Sequence, residues 1–239
     1  METQRQKYQV AFAGLCVGLG LVLLGLFIKS GITSFKAMDR IVAVKGLSEK
    51  EVVADRVIWP LMYKEVGDDL QAVNAALVAK NKAIVDFLKA NGLTEDEITL
   101  SAPEIIDMEA ERYVSQGVRY RYNATSVVTV FSTQVDKVRL LMQDQRELLN
   151  KGIALSGDDY RFQKQFLFTG LNTIKPEMIE EATQNARAAA EKFAKDSNSK
   201  LGKIRSADQG QFSINDRDAN TPYIKTVRVV TTINYFLED

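Results

Sequence analysis

From Val10 to Ile28 the chain carries nineteen residues with neither a charge nor a strongly polar side chain. A helix of that length rises roughly 28 Å, close to the hydrocarbon thickness of a bilayer. A secretory signal has a shorter apolar core followed by a small-x-small cleavage site. Here the run is long, and no Ala-x-Ala pattern follows it. The pattern predicts an uncleaved signal anchor over residues 10–28, after a short tail (1–9) and before a linker (29–37). Arg5 and Lys7 precede the run and Lys29, Lys36 and Arg40 follow it, so flanking charge does not set its direction. The very short tail favours an N-terminus in the cytoplasm, with the rest of the chain outside. Ala11, Gly14, Gly18 and Gly25 fall on one helical face, where small residues let two helices approach closely in lipid. The alternative is that glycine is simply common in membrane helices.

After the anchor the pattern changes to mixed periods. Strands are predicted over Asp39–Leu47 and Ala54–Gly67, and Pro60 inside the second argues for an edge or a bulge. Leu70, Val73, Leu77, Ile84, Phe87 and Leu88 repeat at helical spacing, with Asp68 and Gln71 suited to the start and Asn91-Gly92 to the stop. A short strand at Ile98–Pro103 and a loop precede a long strand over Val118–Ser132. Val135, Val138, Leu141, Met142 and Leu149 share one face of a second helix. Tyr160, Phe162, Phe166 and Phe168 share one face of a strand over Asp158–Leu171. A third helix opens near Pro176 with a stripe of Ile179, Ala182, Ala186, Ala189 and Phe193. Final strands lie near Gly202–Ile214 and Ile224–Leu237. About seven strands and three helices beyond the anchor predict an α+β domain over residues 38–239, with a largely antiparallel sheet.

Composition narrows the chemistry. Thirty-one basic and thirty-one acidic residues leave no net charge, so there is no general attraction to nucleic acid, which leaves only a local basic patch open. There is no histidine, and the only cysteine, Cys16, lies in the apolar run. That excludes Ser-His-Asp and Cys-His nucleophiles, disulfides and thiolate metal sites in the remainder. The carboxylate pairs Asp68-Asp69, Asp158-Asp159 and Glu180-Glu181 fit helix or strand starts better than catalysis. Arg119 and Arg121 alternate with Tyr120 and Tyr122, read as an aromatic core face with a basic rim. Asn123 opens a glycosylation-type Asn-Ala-Thr, which a strand position disfavours. No residue set asks for a cofactor or metal, and the expectation is a protein without enzymatic activity.

The C-terminal third resembles a known family. Glu180–Ile204, an alanine-rich helix running into Lys-Leu-Gly-Lys-Ile, is similar to the signature helix and turn of the SIMPL-domain family. The strand ending in "VKGL", the pair Ala54-Asp55, the stretch "YNATSVVTVFSTQVDKV" and the last strand "VRVVTTINYFLED" resemble other family features in the same order. The likeness covers roughly Arg40 to Asp239. It implies a bacterial protein, secreted or anchored in the inner membrane and facing the periplasm. It also implies assembly into rings or cages, and a link to the cell envelope or oxidative-stress tolerance. It supplies no catalytic residues.

Two functional readings follow. In the first, the bilayer holds the anchor and copies of the domain assemble into a homo-oligomeric scaffold. Trp59 and Tyr63, if exposed at a strand edge, and Asn215 and Arg217, in a polar hairpin loop over Ser206–Tyr223, are its candidate contacts; burial and plain exposure are the alternatives. In the second, the domain is an envelope module binding a small ligand or an unknown envelope protein. Its pocket is expected between sheet and helices, lined from Val118–Ser132 and Asp158–Leu171.

Overall fold

The structure, a computed structural model, describes residues 2–37, 40–110, 119–157 and 159–238, and in the first helix the side chains of 14, 15 and 17–32. Helix α1 (Glu2–Ala37) is followed by β1 (Ile41–Val53), β2 (Arg56–Gly67), α2 (Leu70–Ala90), β3 (Ile98–Leu100), β4 (Glu104–Asp107) and β5 (Tyr122–Ser132). Then come α3 (Val135–Gln143), α4 (Arg146–Asn150), β6 (Leu155–Ser156), β7 (Gln165–Leu167), α5 (Leu171–Asp196), β8 (Lys200–Gln209), β9 (Ser213–Asp216) and β10 (Ile224–Glu238). The result is an α+β fold with antiparallel sheets. Its compact parts are two units: Met1–Glu49 with Lys175–Ser213 and Arg228–Asp239, and Lys50–Ile174 with Ile214–Val227. The sequence led us to expect one domain over 38–239.

Residues 29–37, expected as a linker, continue α1. Among the described residues no helix is long and apolar enough to cross a membrane. The unbroken run of described α1 side chains, 17–32, is sixteen residues, or about 24 Å at the helical rise. The expected span of 10–28 begins at positions whose side chains, Ala11 among them, lie outside the described residues.

The first unit is organised by a contact between backbones. Along β1, Val42, Val44, Gly46 and Ser48 are buried while Ile41, Ala43, Lys45, Leu47 and Glu49 are exposed, the period-two signature of one covered face. The cover is α5, which buries Met178, Ala182, Ala186, Ala190 and Ala194, one residue every four. A Cβ on Gly46 would lie 1.8 Å from the Ala182 carbonyl oxygen and 2.5 Å from the Ala186 nitrogen, so the helix backbone rests on the strand there. This corrects two expectations. Gly46 does not end the strand, which runs on to Val53. The buried stripe also excludes Ala189 and Phe193, the latter 60% exposed, because the four-residue repeat from Met178 to Ala194 turns both positions away from β1. Asn185 donates to the Leu47 carbonyl (2.9 Å) and Ser48 to the Glu181 carboxylate (2.5 Å), flanking the contact.

In the second unit β2 and β5 form an eleven-pair antiparallel ladder from Val57↔Ser132 to Gly67↔Tyr122. Strands β3 and β4 add to the outer side of β5; β6 and β7 add to the outer side of β2. One sheet face carries Val57, Trp59, Leu61 and Tyr63 into a core with Val73, Leu77, Ile84 and Leu88 of α2. The cap of α2 is Asp69, whose carboxylate accepts from the Gln71 N–H; the expected Asp68 accepts from the Arg121 N–H instead. Gly92, at φ +80°, ends the α2 turn in the left-handed region glycine tolerates. The expected second helix is two short ones, α3 and α4, and Leu148 rather than Leu149 is buried. The stretch after Ile98–Leu100, expected as a loop, holds β4. The strand expected over 158–171 is mostly absent. Asp159 caps a 3-10 turn at Tyr160–Phe162, Tyr160 is 82% exposed, and only Gln165–Leu167 pairs. Helix α5 starts before Pro176, and the strand expected over Gly202–Ile214 is split into β8 and β9.

Gly46→Ala is expected to destabilise the fold by about 3 kcal/mol, a fall of roughly 10 °C in Tm. Thermal unfolding followed by circular dichroism checks it. Gly157→Ala is the control: a Cβ there meets nothing within 4 Å, and the expected shift is near zero.

Candidate functional site

The carboxylate pairs are occupied by local bonds. Asp69 caps α2, Glu181 accepts from Ser48, and Glu180 accepts from Gln184 (3.0 Å). Arg161 binds Asp159 through two nitrogens and, with its backbone N–H, holds that carboxylate down to about 2. Asp158 lies outside the described residues. No cluster of three or more metal-binding side chains occurs among the described residues. Arg119 and Arg121 each stack on the following tyrosine, at 5.3 and 5.1 Å from the ring centre. Asn123 lies inside β5 with Val66 on one side and Ile106 on the other.

Trp59 and Tyr63 are corrected. They are 5% and 1% exposed, because the inward phase of β2 carries both into the core. The Tyr63 hydroxyl lies 2.9 Å from Asn81 Oδ1 and 3.0 Å from the Leu77 carbonyl, and Ser126 donates to the same Asn81 oxygen at 3.0 Å. Burial pushes the Tyr63 hydroxyl above its ordinary value and keeps it a donor. Asn215 and Arg217 lie exposed at the β9–β10 hairpin. Arg217 pairs with Glu51 and Asp218 and donates to the Thr221 hydroxyl (3.0 Å). The small residues Gly14, Gly18 and Gly25 have nothing within 4 Å of a Cβ position.

The second unit does contain a pocket, though not between sheet and helices. Strand β7 pairs with Arg56–Ile58 and β6 with Met62–Tyr63, which leaves residues 59–61 of β2 unpaired on that side. Pro60, with no N–H to offer, stands in the middle of the gap. The edge expected from Pro60 is therefore local. In the gap lies a pocket of about 470 Å³. Trp59, Pro60, Leu155, Phe162 and Pro222 give it apolar walls, and Gln145, Ser156, Gln163 and Lys164 supply the polar groups. Its far wall is pinned by Tyr223. That ring meets Phe166 edge-on at 6.1 Å and carries the Arg139 guanidinium 3.3 Å from its centre, while its carbonyl accepts from the Ala54 N–H (2.8 Å).

Beside this wall, Asp55 ties the β1–β2 turn to residues 167–170. Its carboxylate accepts from the backbone N–H of Thr169 (2.8 Å) and of Gly170 (3.0 Å) and from the Thr169 hydroxyl, just ahead of α5. Its own N–H donates to the Leu167 carbonyl (2.9 Å).

With these motifs placed, residues 42–234 match the SIMPL family, described as a protein of unknown function (DUF541). The chain belongs to that family. No curated protein matches it. The resemblance carried by the alanine-rich helix and the Ala54-Asp55 pair is thus borne out, and in this SIMPL chain both motifs have steric or capping roles. Of the lining expected from sequence, Asp158–Leu171 supplies Phe162, Gln163 and Lys164 and Val118–Ser132 supplies none; the rest comes from four other separate segments, which local pattern does not join.

Asp55→Ala is expected to cost about 2 kcal/mol in urea unfolding, the loss of a cap with several donors. A second test concerns the hairpin beside the pocket. Asp218 accepts from the Thr221 hydroxyl, from the N–H groups of Asn220 and Thr221, and from Arg217; these bonds, the hydroxyl first, hold it down to about 2 from 3.8. The folded value lies below the unfolded one, so the support it gives is full above about 3.8 and is lost as pH falls through about 2. Carboxyl-carbon NMR of Asp218 should show a midpoint near 2; a midpoint near 3.8 would contradict these bonds.

Proposed function

We propose that this SIMPL protein is anchored by residues 10–28 in the cytoplasmic membrane of a bacterium, with its folded part in the periplasm. Copies of it assemble into a homo-oligomeric ring or cage-like scaffold that serves the cell envelope or its tolerance of oxidative stress. The observation that carries this reading is α1. From Leu15 to Ile32 eleven large apolar side chains are exposed, at 47–74%, all round the helix. A helix whose described apolar side chains are exposed on every side calls for lipid or another helix to cover them. The open positions beside Gly14, Gly18 and Gly25 support close packing against a neighbouring copy. Tethering in one plane raises the effective concentration of weak lateral contacts, which favours assembly.

The test uses full-length chain in its own membranes and then in mild detergent. It should resist carbonate extraction and scatter light as a multiple of the chain mass. Extraction by carbonate removes the anchor, and a monomer removes the scaffold. In the Gly14→Leu/Gly18→Leu variant, a fall to monomer mass assigns assembly to α1; an unchanged mass assigns it to the folded part.

A further inference from the structure

The pocket beside Pro60 has an imbalance that suggests its occupant. Its volume, about 470 Å³, falls within the range of small-molecule sites. Six of its lining residues are apolar, and among the described residues Lys164 is the only charged one that lines it. The Lys164 ammonium is exposed and makes no ion pair or hydrogen bond among the described residues. Next to it, Gln145 spends one amide hydrogen on the Met142 carbonyl (3.0 Å), while the Gln163 amide has no partner among the described residues. On the same edge, Asp159 is committed to Arg161 and lines a neighbouring hollow with Lys64 and Tyr160.

Part of the wall is also held before any ligand arrives. Trp59 is held in the core, Leu155 and Ser156 by pairing to β2, and Ala219 and Pro222 by the Asp218 turn and the clamped Tyr223 ring. Such preorganisation lowers the ordering cost of binding.

We propose that this pocket binds a small monocarboxylate with an aromatic or branched aliphatic body. The body fills the space between Trp59, Phe162 and Pro222, and the carboxylate accepts from Lys164 with the neighbouring amides and Ser156 hydroxyl completing its hydrogen bonds. One ammonium matches one negative charge. No arginine lines the pocket to hold a dianion such as phosphate in bidentate fashion. The assignment goes beyond assembly and does not depend on it.

Trp59 is the only tryptophan of the chain, so its fluorescence reports from the pocket wall. Full-length protein in lipid nanodiscs is titrated with phenylacetate, with phenylacetamide and with inorganic phosphate. Expected is a saturable change with phenylacetate, with Kd in the low millimolar range or tighter. Phenylacetamide and phosphate should give none at equal concentration. Lys164→Gln should weaken phenylacetate about tenfold, the loss of one charge-assisted hydrogen bond. Gly157→Leu, at a lining position with nothing within 4 Å of a Cβ, should weaken the response while circular dichroism stays unchanged. The proposal is overturned by no saturable change with phenylacetate, by equal binding of the amide, or by undiminished binding in either variant.

Discussion

The ladder between β2 and β5 fixes where everything in the second unit can be. Side chains alternate faces along a strand, so a slip of one residue would turn Val57, Trp59, Leu61 and Tyr63 away from α2 and expose the whole set. Apolar packing specifies the face but discriminates less sharply between slips of two. The polar contact at Asn81 supplies that discrimination. Tyr63 and Ser126 stand directly opposite each other in the ladder, and both hydroxyls meet one Asn81 oxygen. In any other register at least one hydroxyl would be buried without that partner, at a cost of about 1–3 kcal/mol. The gap at Pro60 and the pocket in it inherit their position from this register.

The family signature is architectural. The alanines of α5 and Gly46 of β1 mark where one backbone rests on another, and Asp55 closes the start of α5 from a distant turn. Neither asks for chemistry. Function therefore has to be sought at the surfaces that these contacts leave over: an apolar helix without cover, and a sheet edge interrupted by one imide nitrogen.

Much of the fold was legible. Strand β10 and helix α2 follow their periodicity closely, because each has one face in a core and one less buried, and β2 and β5 do so outside their centres, where Met62 and Val127 are buried too. The errors have particular causes. Tyr160, Phe162, Phe166 and Phe168 alternate like a strand, but Asp159 turns the chain at once and leaves only Phe166 buried. The expected α5 stripe is right at Ala182 and Ala186 and wrong at Ile179, Ala189 and Phe193, because a close approach repeats the small residue every four positions. For Trp59 the pattern leaves exposure at an edge and burial both open; the proline does mark an edge, yet the inward phase of the strand carries Trp59 into the core. Contacts that join residues far apart, such as Asp55 with Gly170 or Ala54 with Tyr223, leave no trace in local pattern.

The alanine rail of α5 has an ambiguity of its own. Ala182, Ala186, Ala190 and Ala194 recur every four residues, so sliding the helix by one turn, roughly 6 Å, presents β1 with nearly the same surface. Shape alone distinguishes such positions poorly. What does so are the groups that do not repeat: Asn185 on the Leu47 carbonyl, Ser48 on Glu181, and Met178 where the rail ends. They act as detents on an otherwise smooth track. A few polar side chains at the edge of an apolar contact thus determine which of several nearly equivalent packings the chain adopts.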